Sequence, residues 1–124
     1  MAREASMITS IAFTVYPVKE MVRSRRFYEY VLGLTVGYAF GDVWVEYDVG
    51  GSTFAITTTD MGHPPGAKGA VVAFETTDLD AFVKALKEKS VPFVVEPFST
   101  PVCRMAVISD PDENHVTIHQ RNRR

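Results

Sequence analysis

Apolar and polar residues alternate along several short segments of this chain, and a period of two is typical of strands with one buried face. The first such segment, Ile8–Tyr16, has Ile11, Phe13 and Val15 on one side. Its opposite side carries Ser10, Ala12, Thr14 and Tyr16. Seven further segments are predicted to be strands: Leu34–Phe40, Val43–Val49, Thr53–Thr59, Ala70–Thr76, Pro92–Glu96, Val102–Ser109 and His115–Gln120.

Two other segments have the spacing of helices. Pro17 can open the first helix, over Val18–Leu32, because the first helical turn needs no N–H from it. Gly33 then stands where a left-handed C-cap is expected. The second helix has Asp78 as its N-cap and ends near Ser90. Its apolar positions fall at i, i+3, i+4 and i+7, and they are Leu79, Phe82, Val83 and Leu86.

A linker divides these elements into two similar halves. Asp60–Gly69 carries three Gly and two Pro in ten residues. On each side of it the order is strand, helix and three strands, which predicts an internal repeat. Ile11–Phe13 matches Val72–Phe74 at an offset of 61. The 124 residues are therefore predicted to form one α+β domain of two βαβββ modules, at about 7–59 and 70–120.

Composition and charge exclude several classes of partner. With 46% hydrophobic and 23% charged residues the chain is an ordinary globular protein. A net charge of −2 gives no reason to expect nucleic acid as a partner. No apolar run is long enough to span a membrane, and the first ten residues, which lack an apolar h-region, are not expected to be a secretory signal. Cys103 is the only cysteine, so we expect a buried apolar residue and a cytoplasmic protein.

The stretch that follows Val107 combines a turn with a strand. Asp110–Asn114 is dense in turn formers, since Pro presets φ and Asp and Asn close turns with their side chains. In the strand after it, Val116 and Ile118 are predicted to pack inward. The other side of that strand carries His115, Thr117 and His119.

The repeated βαβββ order resembles the vicinal oxygen chelate superfamily, which includes glyoxalases, bleomycin-resistance proteins, extradiol dioxygenases and fosfomycin-resistance transferases. The resemblance covers Ile8–Gln120, and its motifs are RFYEYVLGL at Arg26–Leu34 and DPDEN at Asp110–Asn114. It implies a curved mixed sheet with helices outside and a concave cleft. It also implies a homodimer. Glu113 stands where the family usually has Gly, and the turn accepts it if its φ stays negative.

Enzymes of that superfamily hold a divalent metal through His, Gln or Glu from the first and last strands of each module. Carried over to this chain, those positions fall on Ser10, Val71 and Thr117, and on Ala55 or Thr57 depending on the register. These side chains supply neither imidazole nor carboxylate, which such metals prefer. We therefore expect no metal and no other cofactor.

Small and polar side chains occupy the predicted face of the cleft. Small residues leave volume there, and a few polar groups can orient a ligand. The residues expected to line it are Ser10, Thr14, Tyr16, Trp44, Glu46, Thr57, Glu75, His115, Thr117 and His119. The sequence therefore predicts a metal-free cleft that binds a small molecule, as in the drug-sequestering branch of the superfamily.

Two other functions stay open at this point. The first is a lyase, isomerase, transferase or dioxygenase. Its metal would be displaced toward Glu75 and His119, or Glu75, His119 or Tyr16 would perform metal-free acid–base chemistry. The second is a structural or subunit-interaction module whose cleft is vestigial.

Overall fold

The computed structural model describes residues 11–60, 64–66 and 69–122, and these form two four-stranded sheets with a helix beside each. The first module consists of β1 (Thr14–Pro17), α1 (Met21–Arg25, continued as a π-helix over Arg26–Val31), β2 (Thr35–Phe40), β3 (Trp44–Val49) and β4 (Ser52–Thr57). The second consists of β5 (Val72–Glu75), α2 (Leu79–Glu88), β6 (Phe93–Ser99), β7 (Cys103–Ser109) and β8 (His115–Arg121). The α+β class and the two βαβββ modules are confirmed.

Each sheet pairs its first strand with its last. The orders are β1-β4-β3-β2 and β5-β8-β7-β6. The pairs β1–β4 and β5–β8 are parallel, whereas the remaining pairs are antiparallel. Parallel neighbours cannot be joined by a hairpin, so the chain returns through a helix and two further strands in each module. No helix in the described ranges is long and apolar enough to cross a membrane.

One backbone hydrogen bond recurs in both modules. Val18 N donates to Thr57 O over 2.8 Å, and Thr76 N donates to His119 O over 2.8 Å. Val18 and Thr76 therefore occupy equivalent places after the first strand of their modules. The helix begins at Met21 and not at Val18 as predicted, because Glu20 has an extended backbone conformation and serves as its N-cap.

The helix N-caps fix how the two modules align. The side chain of Glu20 accepts from Arg23 N, and that of Asp78 accepts from Ala81 N. These caps lie 58 positions apart, and the same spacing makes Thr14 the counterpart of Val72. The predicted offset of 61 was wrong, since it matched residues that precede β1 with residues of β5.

The two modules enclose one apolar core between their helices and one face of each sheet. The largest fully buried side chains are Tyr28, Tyr47, Ile56, Leu79, Leu86, Ile108 and Ile118. Phe54 and Phe74 meet across the boundary with ring centroids 5.3 Å apart and planes at 85°, an edge-to-face contact. We call the sheet surface toward this core the core face and the opposite surface the outer face.

The DPDEN turn joins the modules through buried polar side chains. The Asp110 carboxylate accepts from Tyr28 Oη at 2.9 Å, from the backbone N–H groups of Asp112 and Asn114, and from Asn114 Nδ2. Burial raises the pKa of Asp110, and these hydrogen bonds act in the opposite direction. Tyr28 belongs to the first module, so this carboxylate stabilises the turn and the contact between modules together.

Two further side chains of the turn contact the first module. Asp112 accepts from Lys19 N at 3.0 Å and forms a salt bridge with Arg23. Asn114 Nδ2 donates to Pro17 O at 3.0 Å. In the DPDEN motif these buried side chains therefore have a structural role, which is to connect the two modules.

Glu113 adopts a left-handed backbone conformation within the same turn. Its φ is +66°, so the expectation that φ stays negative there was wrong. The side chain of Glu113 is exposed. A non-glycine residue at such a φ carries a conformational cost, which glycine would not.

Candidate functional site

The outer faces of the two sheets carry most of the residues predicted to line a cleft. Phe54 and Ile56 of β4 point into the core, so the residues between and beside them point outward. By strand pairing, the outer face of the first sheet holds Val15, Pro17, Tyr38, Phe40, Trp44, Glu46, Asp48, Thr53, Ala55 and Thr57. That of the second holds Ala73, Glu75, Val95, Phe98, Met105, Val107, Ser109, His115, Thr117 and His119.

Aromatic rings dominate the outer face of the first sheet. Trp44 Nε1 donates to Glu46 Oε2 over 2.8 Å, which fixes the indole along its strand. The Phe13 ring lies edge-on to it, with centroids 5.2 Å apart. Phe13, Tyr38 and Phe40 are 40%, 54% and 63% exposed. Such exposed rings provide an apolar surface on which a flat molecule can stack.

Two carboxylates lie on β3 among these rings. Glu46 and Asp48 are two residues apart on the same face, which places them about 6.8 Å from each other along the strand. Asp48 extends over Gly37, where an added Cβ would come within 2.7 Å of its Oδ1. Gly37 therefore makes room for the Asp48 carboxylate.

A hydrogen-bonded Glu–His pair lies on the outer face of the second sheet. His119 Nδ1 is 2.6 Å from Glu75 Oε1, and Arg121 N donates to Glu75 Oε2 over 2.7 Å. The Arg121 N–H and, second, His119 lower the pKa of Glu75. Because a carboxylate accepts, Nδ1 carries the proton in this pair, and Nε2 has no hydrogen-bond partner within the described residues.

The structure brings together some of the predicted site residues and separates others. Trp44 contacts Glu46 on the first sheet, and Glu75 contacts His119 on the second. His115 and Thr117 share the outer face with that second pair. Thr57 lies on the outer face of the first sheet but is buried, and its hydroxyl donates to Val43 O over 2.7 Å. Ser10 lies outside the described residues.

Tyr16 was assigned to the wrong face, and Thr14 pairs with the core residue Phe54 but is exposed. Tyr16 pairs with the core residue Ile56 and is only 7% exposed. Its hydroxyl donates to His115 O at 2.8 Å and accepts from Val72 N at 2.6 Å. Burial raises the pKa of Tyr16, and the two hydrogen bonds of its hydroxyl connect β1 to the second module.

The error has a physical cause. The apolar side of Ile8–Tyr16 was taken as the core side, but Ile11 is 88% exposed and Phe13 belongs to the outer face with Trp44. The core side of β1 instead carries Tyr16, whose ring is buried and whose hydroxyl forms the two hydrogen bonds given above. Phe13, Tyr38, Phe40 and Asp48 were missed as well. Pairing the predicted strands around a two-residue Gly41-Asp42 turn would have placed Phe40 beside Val43, whereas the turn also includes Val43 and Phe40 pairs with Trp44.

The side chains at the expected metal positions do not fit a divalent metal. Val71, Ala55 and Thr117 offer no imidazole or carboxylate. In the described ranges no three His, Cys, Asp or Glu side chains are close enough together to hold a metal ion. Glu75 and His119 supply two donors, and the equivalent positions of the first module are Pro17 and Thr57.

Proteins of known structure share the fold of this chain. The chain is similar to TnmS3, an antibiotic binding protein from Streptomyces sp. CB03234, with 25% identity over 95% of this chain and 100% of that one, at a TM-score of 0.80. It is also similar to a glyoxalase/bleomycin resistance protein from the same organism, with 26% identity over 90% of this chain and 100% of that one, at a TM-score of 0.75.

A putative glyoxalase family protein from Bacillus anthracis has the same fold, with a TM-score of 0.80 and 17% identity over 96% of this chain and 100% of that one. A search of curated proteins gave no match. Residues 10–118 match the Glyoxalase/Bleomycin resistance protein/Dioxygenase superfamily. This match spans most of the sequence, and the chain therefore belongs to that superfamily.

Proposed function

We propose that this protein binds a small organic molecule of the antibiotic type at the outer faces of its sheets, without a metal ion. The observation that carries the proposal is the aromatic surface formed by the exposed rings of Phe13, Tyr38 and Phe40 and by the half-buried Trp44. Binding sites for small molecules combine such apolar surface with a few polar groups that fix orientation. Glu46 and the Glu75–His119 pair supply polar groups of this kind.

The antibiotic-binding relative supports this choice of ligand class. At 25% identity over nearly the whole chain, TnmS3 shares the fold and is described as an antibiotic binding protein. The donor set at the expected metal positions argues for recognition by packing and hydrogen bonding instead of by metal coordination. The cytoplasmic location expected from the single cysteine stays a prediction.

A homodimer would complete the site. Apolar side chains on the outer faces of both sheets are exposed in one chain, and they include Phe13, Tyr38, Phe40, Val95 and Phe98. Contiguous apolar surface of this kind marks interaction sites. A second copy that lays its second sheet opposite the first sheet would close a cleft between them. A monomeric mass by light scattering at micromolar concentration would contradict this arrangement.

Calorimetric titration against a panel of antibiotics tests the proposal. At least one compound is expected to bind and to raise the melting temperature, and EDTA is expected to leave the affinity unchanged. Phe40→Ala should weaken binding about tenfold, because stacking on one exposed ring contributes roughly 1 kcal/mol or more. Val22→Ala, which truncates an exposed apolar residue of α1, is the matched control and should bind normally.

Two results would contradict the proposal. The first is the absence of any binding across a broad panel. The second is a stoichiometric transition metal in the purified protein whose removal by EDTA abolishes binding, because the metal-free part would then be wrong.

The Glu75–His119 pair favours a second candidate, metal-free acid–base catalysis on a small molecule. A carboxylate that holds Nδ1 leaves Nε2 as a base, an arrangement that supports proton transfer. His119→Gln would then abolish turnover of a bound compound while leaving its affinity within a few fold. If the bound compound is recovered unchanged from the wild-type protein, this candidate is excluded for that compound.

A further inference from the structure

We propose that the ligand of the first sheet is a planar aromatic molecule that carries a positive charge. This inference rests on the proposed function and specifies the chemical class that the site would select. It depends on the charges of the outer face of the first sheet and on the rings that surround them. The second sheet offers a different set of groups.

Within the part of the chain that the structure describes, no neighbouring cation neutralises the carboxylates of Glu46 and Asp48. The strands β1, β2, β3 and β4 contain no Lys, Arg or His. No salt bridge to either carboxylate occurs among the described residues, and Glu46 Oε2 is engaged only by the neutral Trp44 indole. Two like charges on one strand repel each other, and a cation bound between them would relieve that repulsion.

The surrounding rings favour the same ligand. By strand pairing, Tyr38 lies beside Glu46 and Phe40 beside Trp44. The faces of such rings carry negative partial charge and attract a cation that stacks on them. A flat organic cation therefore gains from stacking, from the ring faces and from the carboxylates at once. An organic anion would be repelled by the ring faces and by the carboxylates, and it would gain only from the apolar contact.

The fold keeps space for the more exposed of the two carboxylates. Asp48 lies over Gly37, the one residue of β2 without a side chain, and any Cβ there would come within 3.0 Å of all three carboxylate atoms. The carboxylate thereby remains on the aromatic face. An Ala at Gly37 would displace it, so Gly37→Ala is a second way to remove this charge from the site without changing the net charge.

Three acridines of one ring system and different charge test the inference. At pH 8, proflavine is a cation, acridine is neutral and acridine-9-carboxylate is an anion. Fluorescence titration of the wild-type protein should show proflavine binding about tenfold more tightly than acridine and the anion binding most weakly. Added salt should weaken the binding of proflavine more than that of acridine.

Charge-neutral variants locate the effect. Glu46→Gln keeps an acceptor for Trp44 Nε1, and Asp48→Asn keeps the shape of its side chain. Each should weaken proflavine binding about three- to fivefold, the usual contribution of one exposed charge pair, and should weaken acridine binding less. Glu88→Gln, the same change on the exposed surface of α2, is the control and should have no effect. An unchanged melting temperature shows that each variant is folded.

The outcomes distinguish failure of the charge inference from failure of the proposed binding function. Equal affinity for proflavine and acridine, tighter binding of the anion, or no effect of Glu46→Gln and Asp48→Asn overturns the charge inference. If an antibiotic of the panel binds in that case, the proposed function stands while the inference fails. If no acridine and no compound of the panel binds, both fail.

Discussion

The two modules of this chain have the same order of elements and differ in the turn that precedes their last strand. In the first module β3 and β4 are joined by Gly50-Gly51, whose φ values are +54° and +85°. Two residues with positive φ suit a tight hairpin turn, and this turn is exposed. In the second module the DPDEN turn is mostly buried, and its side chains bind the helix and first strand of the first module. One turn only closes a hairpin, whereas the other also joins the modules.

The outer faces of the two sheets differ just as much. Pro17 and Thr57 of the first module are the counterparts of Glu75 and His119 of the second. The first sheet has aromatic rings and carboxylates without a basic residue, whereas the second has a Glu–His pair. Equivalent backbone positions in a repeat therefore serve different chemistry, and two unequal halves can enclose one asymmetric ligand.

Removal of the Asp110 carboxylate should have the largest effect on the contact between modules. Asp110→Ala leaves the buried Tyr28 hydroxyl without its acceptor and removes one of the two acceptors of Asn114 Nδ2. We expect the free energy of unfolding to fall by about 3–4 kcal/mol, because several hydrogen bonds to a charged group are lost together. Urea unfolding followed by circular dichroism measures it.

Asp48→Ala is the control for that change, since it removes an exposed carboxylate from the first sheet. Its free energy of unfolding should stay within about 0.5 kcal/mol of the wild type. Equal losses in the two variants would show that the DPDEN turn does not join the modules as described.

The next effect concerns the phenol that connects β1 to the second module. Tyr16→Phe gives β1 the residue type of its counterpart Phe74 and leaves His115 O and Val72 N without the hydroxyl. The expected loss is about 1–2 kcal/mol in the free energy of unfolding. Tyr30→Phe, which removes an exposed hydroxyl, should cost less than about 0.5 kcal/mol. A neutral effect of Tyr16→Phe would mean that the two modules are held together without this bridge.

The sequence predicted the elements and their repeat, because alternation and helical spacing are local properties. It predicted the faces of β8 and β3 as well, since Val116 and Val45 are buried and their polar neighbours point outward. It failed at β1, where both sides of the strand carry apolar residues. Which of them faces the core is then decided by Ile56 across the parallel pair, and this long-range register is invisible to a local pattern.

In the candidate site as well, local alternation placed residues on a face, whereas their contacts depended on strand pairing. Alternation placed Glu75 and His119 on outward faces but did not predict their contact, because the 2.6 Å distance depends on the pairing of β5 with β8. Phe40 was missed because its contact with Trp44 depends on the register of a hairpin. The conformation of Glu113 was missed because nothing in the local pattern distinguishes a strained residue from an ordinary one.

A change at each turn sharpens the comparison further. Glu113→Gly should raise the free energy of unfolding by about 0.5–1 kcal/mol, because relief of the left-handed strain exceeds the entropy cost of glycine. Gly51→Ala should lower the free energy of unfolding by about 1 kcal/mol, because alanine is strained at the positive φ of Gly51. Thermal and urea unfolding measure both. If Glu113→Gly destabilises the protein, the Glu113 side chain contributes more than its backbone conformation costs.

The smallest expected effect concerns the Glu75–His119 pair and depends on pH. The folded-state pKa of Glu75 is lowered from 4.5, so its contribution to stability is present above about pH 4.5 and is lost as the pH falls through the folded pKa. Glu75→Gln should therefore cost less than about 1 kcal/mol at pH 7, since the carboxylate is exposed and screened. The difference from wild type should shrink as the pH falls below about 4.5. Urea midpoints across this range measure it, and a difference that grows toward acid pH would mean that Glu75 is not stabilised as a carboxylate, which would weaken the acid–base candidate for the second sheet.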